Sequence, residues 1–179
     1  MRQRNSKYNA KKTLTDGIQF DSALEGKYYL HLKRLHEMGE VDRIELQPSF
    51  ILQGGFTDDY GVKHMPIKYV ADFLVYYREG PPVVIDVKGL MTSDFKIKRK
   101  LYCAKFPLEL KLVNYSKIDG GWIECDALKK ARAARKKVKE TKRNKEITEF
   151  YNETQNLEKT SGEFGITVDQ VIKLTRGTK

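Results

Sequence analysis

Only two cysteines, Cys103 and Cys125, occur in 179 residues. That leaves no disulfide framework and no cysteine-based zinc set, and it suits a reducing cytosol. The three histidines, His31, His36 and His64, do not fall at metal-ligand spacing. No apolar run approaches the roughly 18 residues of a membrane span. The polar, basic N-terminus lacks the apolar stretch of a signal peptide. No internal repeat recurs, and no nucleophile stands beside a paired base for covalent catalysis. What is present is a chain 40% hydrophobic and 11% aromatic, enough to bury the core of one domain with appendages.

Charge is unevenly spread. Residues 1–20 carry five Lys/Arg and one acid, residues 21–125 carry fifteen of each, and residues 126–179 carry fourteen Lys/Arg and eight acids. The whole net charge of +10 therefore lies in two flanking segments around a neutral middle. Basic arms on a neutral centre suit binding to a phosphate backbone, although solvated tails would have the same composition.

The pattern divides the chain into a flexible basic arm (1–17), a central domain (18–125) and a basic helical tail (126–179). Ser22 and Glu25 form a capping box for a helix with Leu24, Tyr28, Leu32 and Leu35 at helical spacing, ended by Gly39. Strands are expected at 44–52, bent at Pro48, at 67–77 and at 83–88, in an antiparallel meander. Ser93 caps a helix at about 94–106 with Ile97, Leu101 and Ala104 inward, stopped by Pro107, and a strand follows at 108–114. That strand arrives by a helical crossover, so it can pair parallel with 83–88. A long basic helix is expected over 127–158, with Ile147, Phe150, Tyr151 and Thr154 on one face and a break at 161–165. A last helix is capped by Thr167 and Gln170.

The chemistry concentrates in the strand VVIDVKG at 83–89. Alternation places Asp86 and Lys88 on one face and Ile85 and Val87 on the other. Asp72 interrupts the apolar strand before it. A buried carboxylate is costly unless paired or bound to a metal. Two acids on adjacent strands beside a lysine suit Mg2+, which takes hard oxygen ligands and keeps waters and phosphate in its shell. A structural ion pair of Lys88 with Asp72 or Asp86 accounts for the same residues.

The order Glu25, Ala71-Asp72, Asp86-Val87-Lys88-Gly89 resembles the PD-(D/E)XK nuclease superfamily, whose core has the α-β-β-β-α-β order read above. Further segments, Ser6-Lys7-Tyr8, Asp16-Gly17-Ile18, Phe20-Asp21-Ser22, Leu46-Gln47-Pro48 and Tyr69 through Phe73, resemble small phage proteins in its Holliday-junction-resolvase-like branch. The transposon endonuclease subunit TnsA is more distantly similar. The resemblance covers about residues 6–115. Ala71 stands where the motif has proline, and Asp86 where glutamate is more frequent.

The resemblance implies an α/β fold with a mixed central sheet, and a Mg2+-dependent endodeoxyribonuclease, with Mn2+ substituting, acting on branched DNA in phage recombination or replication. Asp72 and Asp86 would be metal ligands with the Val87 carbonyl, Lys88 would position the attacking water, and Glu25 would complete the acidic site. Glu25 could equally serve only its capping box. Gln47 would hold a metal-bound water or a phosphate. Lys96, Arg99 and Lys100, at i, i+3 and i+4, with Lys98 nearby, and Lys11, Lys12, Lys136 and Lys137 in the basic flanks, are candidate DNA-backbone contacts. Junction resolution needs two active sites, which implies a homodimer, and the relatives place the chain in the cytoplasm of a phage host. A duplex or transposon-type endonuclease, or a non-catalytic DNA-binding accessory protein, are the alternatives.

Overall fold

The computed structural model describes residues 12–88 and 91–176. The chain divides into two compact units, one ending at Leu128 and the other beginning at Lys129. The first is mixed α/β. Strands β1 (Thr13–Thr15) and β2 (Ile18–Phe20) form a hairpin, followed by helix α1 (Ala23–Glu37). Next come β3 (Val41–Leu46), β4 (Ser49–Gln53), β5 (Phe56–Thr57), β6 (Lys63–His64), β7 (Ile67–Val70), β8 (Phe73–Tyr77) and β9 (Val83–Val87). Helix α2 (Ser93–Lys105) leads to β10 (Glu109–Ser116), a short 3-10 turn and β11 (Gly121–Glu124). Helix α3 (Cys125–Thr154) starts in this unit and continues in the second, where α4 (Leu157–Phe164) and α5 (Val168–Arg176) follow.

The central sheet has the order β11-β10-β9-β8-β3. Within it β9 and β10 are parallel, joined by α2 as crossover, as expected. Alternation along β9 serves two cores. Val83, Ile85 and Val87 face Phe20, Tyr28, Leu32 and Phe73. Val84 faces the other way, toward Tyr69, Phe95 and Tyr102. Helix α1 starts as read: Glu25 N–H donates to Ser22 Oγ at 3.2 Å, and Tyr28 and Leu32 are buried.

Several expectations differ from the structure. Residues 13–17, expected in a flexible arm, belong to the β1–β2 hairpin. Its Asp16-Gly17 turn has φ of 54° and 77°, the left-handed conformations that a two-residue type I′ hairpin loop requires. The strand expected at 67–77 is two strands, β7 and β8, broken at Ala71-Asp72, and the one at 44–52 divides into β3 and β4 at Gln47-Pro48, where the expected Pro48 bend falls. The breaks face each other: Gln47 N–H donates to Asp72 O at 2.9 Å and Ala71 N–H to Pro48 O at 3.1 Å. The hairpin thus bends as a unit, and β4 and β7 leave the central sheet to pair by themselves. Helix α2 is capped by Thr92 rather than Ser93. It buries Phe95 and Tyr102, while Ile97 and Leu101 are exposed.

In the second unit, α3 ends at Thr154, where Gln155 takes φ of 50° and Asn156 caps α4. The expected break at 161–165 is instead the end of α4, closed by Gly165 at φ of 60°. The last capping box forms, with Gln170 N–H on Thr167 Oγ1 at 3.3 Å and Thr167 N–H on Gln170 Oε1 at 2.9 Å. Ile147, Thr160 and Val171 are buried in this unit, and Phe150 meets Phe164 edge-on at 5.6 Å. Among the described residues, no helix is long and apolar enough to cross a membrane.

Candidate metal and nucleic-acid site

Asp86 lies near the end of β9, a strand buried along its whole length, and is itself fully buried. Its Oδ2 accepts a 2.5 Å hydrogen bond from the Tyr69 hydroxyl. The Lys88 ammonium lies 2.7 Å from Oδ1. That contact supplies charge without hydrogen-bond alignment, since among the described residues Oδ1 has no hydrogen-bond partner. Lys88 is two residues along the same strand face, as alternation predicts. Its ammonium also sits 4.7 Å from the Phe95 ring centre. Its backbone continues the β9–β10 pairing, with N–H donating to Val113 O at 2.9 Å and O accepting from the Asn114 amide at 2.9 Å.

Asp72 lies at the break before β8. Its Oδ2 accepts from Val87 N–H at 2.6 Å, which ties it to β9 beside Asp86. Burial, then the negative charges of Asp86 and Glu25, push its carboxyl up to about 8. A carboxyl so placed holds a proton or calls for more positive charge. Glu25 is raised too, chiefly by burial, and the charge of Lys88 opposes that shift. The structure therefore brings Glu25, Asp72, Asp86 and Lys88 within electrostatic range of one another. Both Glu25 oxygens already have local donors: Ser22 Oγ at 2.8 Å on Oε1 and Asp21 N–H at 3.1 Å on Oε2.

Among the described residues, no three His, Cys, Asp or Glu side chains form a ready metal-binding group. Two adjacent carboxylates, one held by Val87 N–H and the other facing the Lys88 ammonium, are what the site offers. This donor set fits a cation that fills its shell with water and phosphate. Gln47 is exposed, with φ of 49°, and its backbone joins the bend beside Asp72.

Tyr69 is the site residue that sequence reasoning leaves without a role. Its position three residues before Asp72 is visible there, but the bend that folds β7 toward Asp86 is not. Burial, and then the negative charge of Asp86, push its phenol far up, so it stays a donor.

The basic candidates disperse. Lys96 and Lys100 are exposed on α2. Arg99 is drawn to Asp126 at 3.6 Å and Lys98 to Asp94 at 3.4 Å. Lys12 lies 3.8 Å from Asp21, and Lys11 lies outside the described residues. Lys136 and Lys137 are exposed on α3. Lys136 joins Lys139, Arg143 and Lys173 around a groove of about 560 Å³ in the second unit, floored by Ile147, Ile166 and Leu174.

No curated protein and no solved structure matches the chain. Residues 5–131, well over half of it, match the family described as "Protein of unknown function (DUF1064)", and the chain belongs to that family.

Proposed function

We propose that this chain is a metal-dependent endodeoxyribonuclease of the PD-(D/E)XK type that hydrolyses phosphodiester bonds in branched DNA. The observation that carries the reading is the meeting of Asp72, Asp86 and Lys88 where β8 and β9 adjoin, with Glu25 in electrostatic range. The order α1, β3, β8, β9, α2, β10 with a parallel β9–β10 pair supports the same core. Asp72 and Asp86, with the Val87 carbonyl, would hold Mg2+ or Mn2+. That ion supplies Lewis acidity and a more acidic water. Lys88 orients the attacking water and balances the charge that develops on the phosphate. Asp72 receives its hydrogen bond from Val87 N–H, which fixes its carboxylate beside Asp86. Lys96, Lys100 and the basic flanks bind the DNA backbone, and two copies act together on a junction.

The Asp86–Lys88 contact of 2.7 Å also favours a second reading, a structural ion pair in a DNA-binding protein without catalysis. One assay separates them. The full-length protein is incubated with four-way junction, flap, duplex and single-stranded DNA, with Mg2+ or with EDTA. Mg2+-dependent cutting of the junction is expected. Preferred cutting of plain duplex would make it a duplex or transposon-type endonuclease. Tight binding with none of the four cut in Mg2+ would leave the ion-pair reading in its place.

A further inference from the structure

Tyr69 has no part in the mechanism above, yet it touches the site more closely than any basic candidate. It is 3% exposed and lies on β7, outside the central sheet. Its ring packs against Phe50, Phe95 and Tyr102 with centres 6.3, 6.0 and 5.6 Å away. A phenylalanine would fill such an aromatic pocket without burying a hydroxyl, which costs free energy unless it is bonded. The hydroxyl's partner is Oδ2 of Asp86 at 2.5 Å. That bond fixes the rotation of the carboxylate and leaves Oδ1 as the oxygen facing Lys88. The reach exists because the chain breaks at Ala71-Asp72; an unbroken strand over 67–77 would keep β7 in line with β8.

We infer that Tyr69 is a positioning residue for Asp86, holding Oδ2 so that Oδ1 is presented to the divalent cation and to Lys88. This inference rests on the metal-nuclease reading. Groups that orient a metal ligand typically change metal affinity by about 10- to 100-fold when removed. Tyr69→Phe keeps the ring and removes only the donor.

The test is calorimetric titration of Mn2+ into the full-length protein and its Y69F, D86N and Y69F/D86N variants, beside DNA affinity in EDTA and circular dichroism. Y69F should weaken Mn2+ binding by about 10- to 100-fold, with the DNA affinity and the spectrum of the unaltered protein. In the D86N background, adding Y69F should cause no further loss, because its effect passes through Asp86. Circular dichroism separates the two causes of a loss: weakened Mn2+ binding with the native spectrum supports the positioning role, and a Y69F variant that loses that spectrum would make Tyr69 a core residue. Unchanged Mn2+ affinity in Y69F, or an equal loss on both backgrounds, would make Tyr69 a core residue only and leave the nuclease reading intact. An unaltered protein that neither binds Mn2+ nor cuts DNA would remove the site itself, and this role with it.

Discussion

Asp72 is held by opposing forces. Val87 N–H stabilises its charged form, while burial and two neighbouring carboxylates oppose it, and the opposition wins, at about 8. The sign follows from linkage. The folded value lies above the unfolded one near 3.8, so between those values the folded state binds more protons. Stability of the metal-free protein then falls as pH rises from about 4 to 8. Asp72→Asn removes that burden. In EDTA at pH 8 its Tm should exceed the unaltered protein's by at least about 2 °C, the shift that roughly 1 kcal/mol gives in a chain of this size. With Mg2+ the order should reverse, because only the unaltered protein gains from binding the ion. Cleavage should be lost in Asp72→Asn and in Asp86→Asn, with DNA binding kept. Thermal melts across pH with and without metal, beside a nicking assay, measure all of this, and full activity in both variants would end the site assignment.

Lys88 separates chemistry from structure in the same way. If it orients water, Lys88→Ala should lose turnover while Mn2+ still binds by calorimetry and the fold persists. If it is chiefly the counter-charge of a fully buried Asp86, the variant leaves a buried carboxylate unpaired and should melt far earlier, since breaking a buried pair costs about 3–5 kcal/mol. Early melting that Mn2+ does not rescue would mark the structural ion pair.

At the scale of elements, the local signals were legible and the tertiary ones were not. Capping boxes at Ser22–Glu25 and Thr167–Gln170 are read three residues apart; the second forms in full, and in the first Ser22 Oγ caps Glu25 N–H while the Glu25 carboxylate takes Asp21 N–H instead of Ser22 N–H. The parallel β9–β10 pair follows from the helix between them. The bend at Pro48 was legible from the proline itself, whereas the break at Ala71-Asp72 was hidden because apolar residues flank it on both sides, and only its pairing with the first bend explains it. Helix α2 offered two apolar stripes, and composition could not choose between Ile97, Leu101 and Ala104 and the aromatic stripe through Phe95 and Tyr102 that the structure buries. The Asp16-Gly17 turn carried a hairpin signal that the surrounding basic residues obscured. The site pair of Asp86 and Lys88 needed only alternation, whereas Tyr69 needed the bend.

That bend gives a test for Gln47. A non-glycine residue at φ of 49° is strained, by roughly 1 kcal/mol. Gln47→Gly should therefore be neutral or stabilising by up to about 1 kcal/mol in denaturant unfolding. If its amide also holds water or phosphate, cleavage should fall in the same variant. A gain in stability with unchanged kcat and KM would show that Gln47 serves the bend alone.

Over the whole molecule, the net charge is concentrated away from the candidate site in sequence. Lys129, Arg132, Lys136, Lys139 and Arg143 recur at intervals of three and four along α3, which gathers them in one basic stripe. Lys142 and Lys145, elsewhere on that helix, are drawn to Glu146 at 3.9 Å and Glu149 at 3.6 Å. Each cation that neutralises a phosphate on duplex DNA adds about 0.9 to the slope of log affinity against log salt. Replacing Lys129, Arg132, Lys136 and Lys139 together by glutamine in the full-length chain should flatten that slope by up to about 3.6. The substitutions lie on exposed positions of α3, so the Tm should hold, and glutamine keeps helix propensity near that of lysine. Cutting at low salt and high enzyme concentration should persist, because Asp72, Asp86 and Lys88 are untouched. Fluorescence anisotropy across salt concentrations gives the slope, and light scattering of the same variant gives the mass. An unchanged slope with a shift from dimer to monomer would make the stripe an assembly element and move DNA binding to α2 and the N-terminal residues.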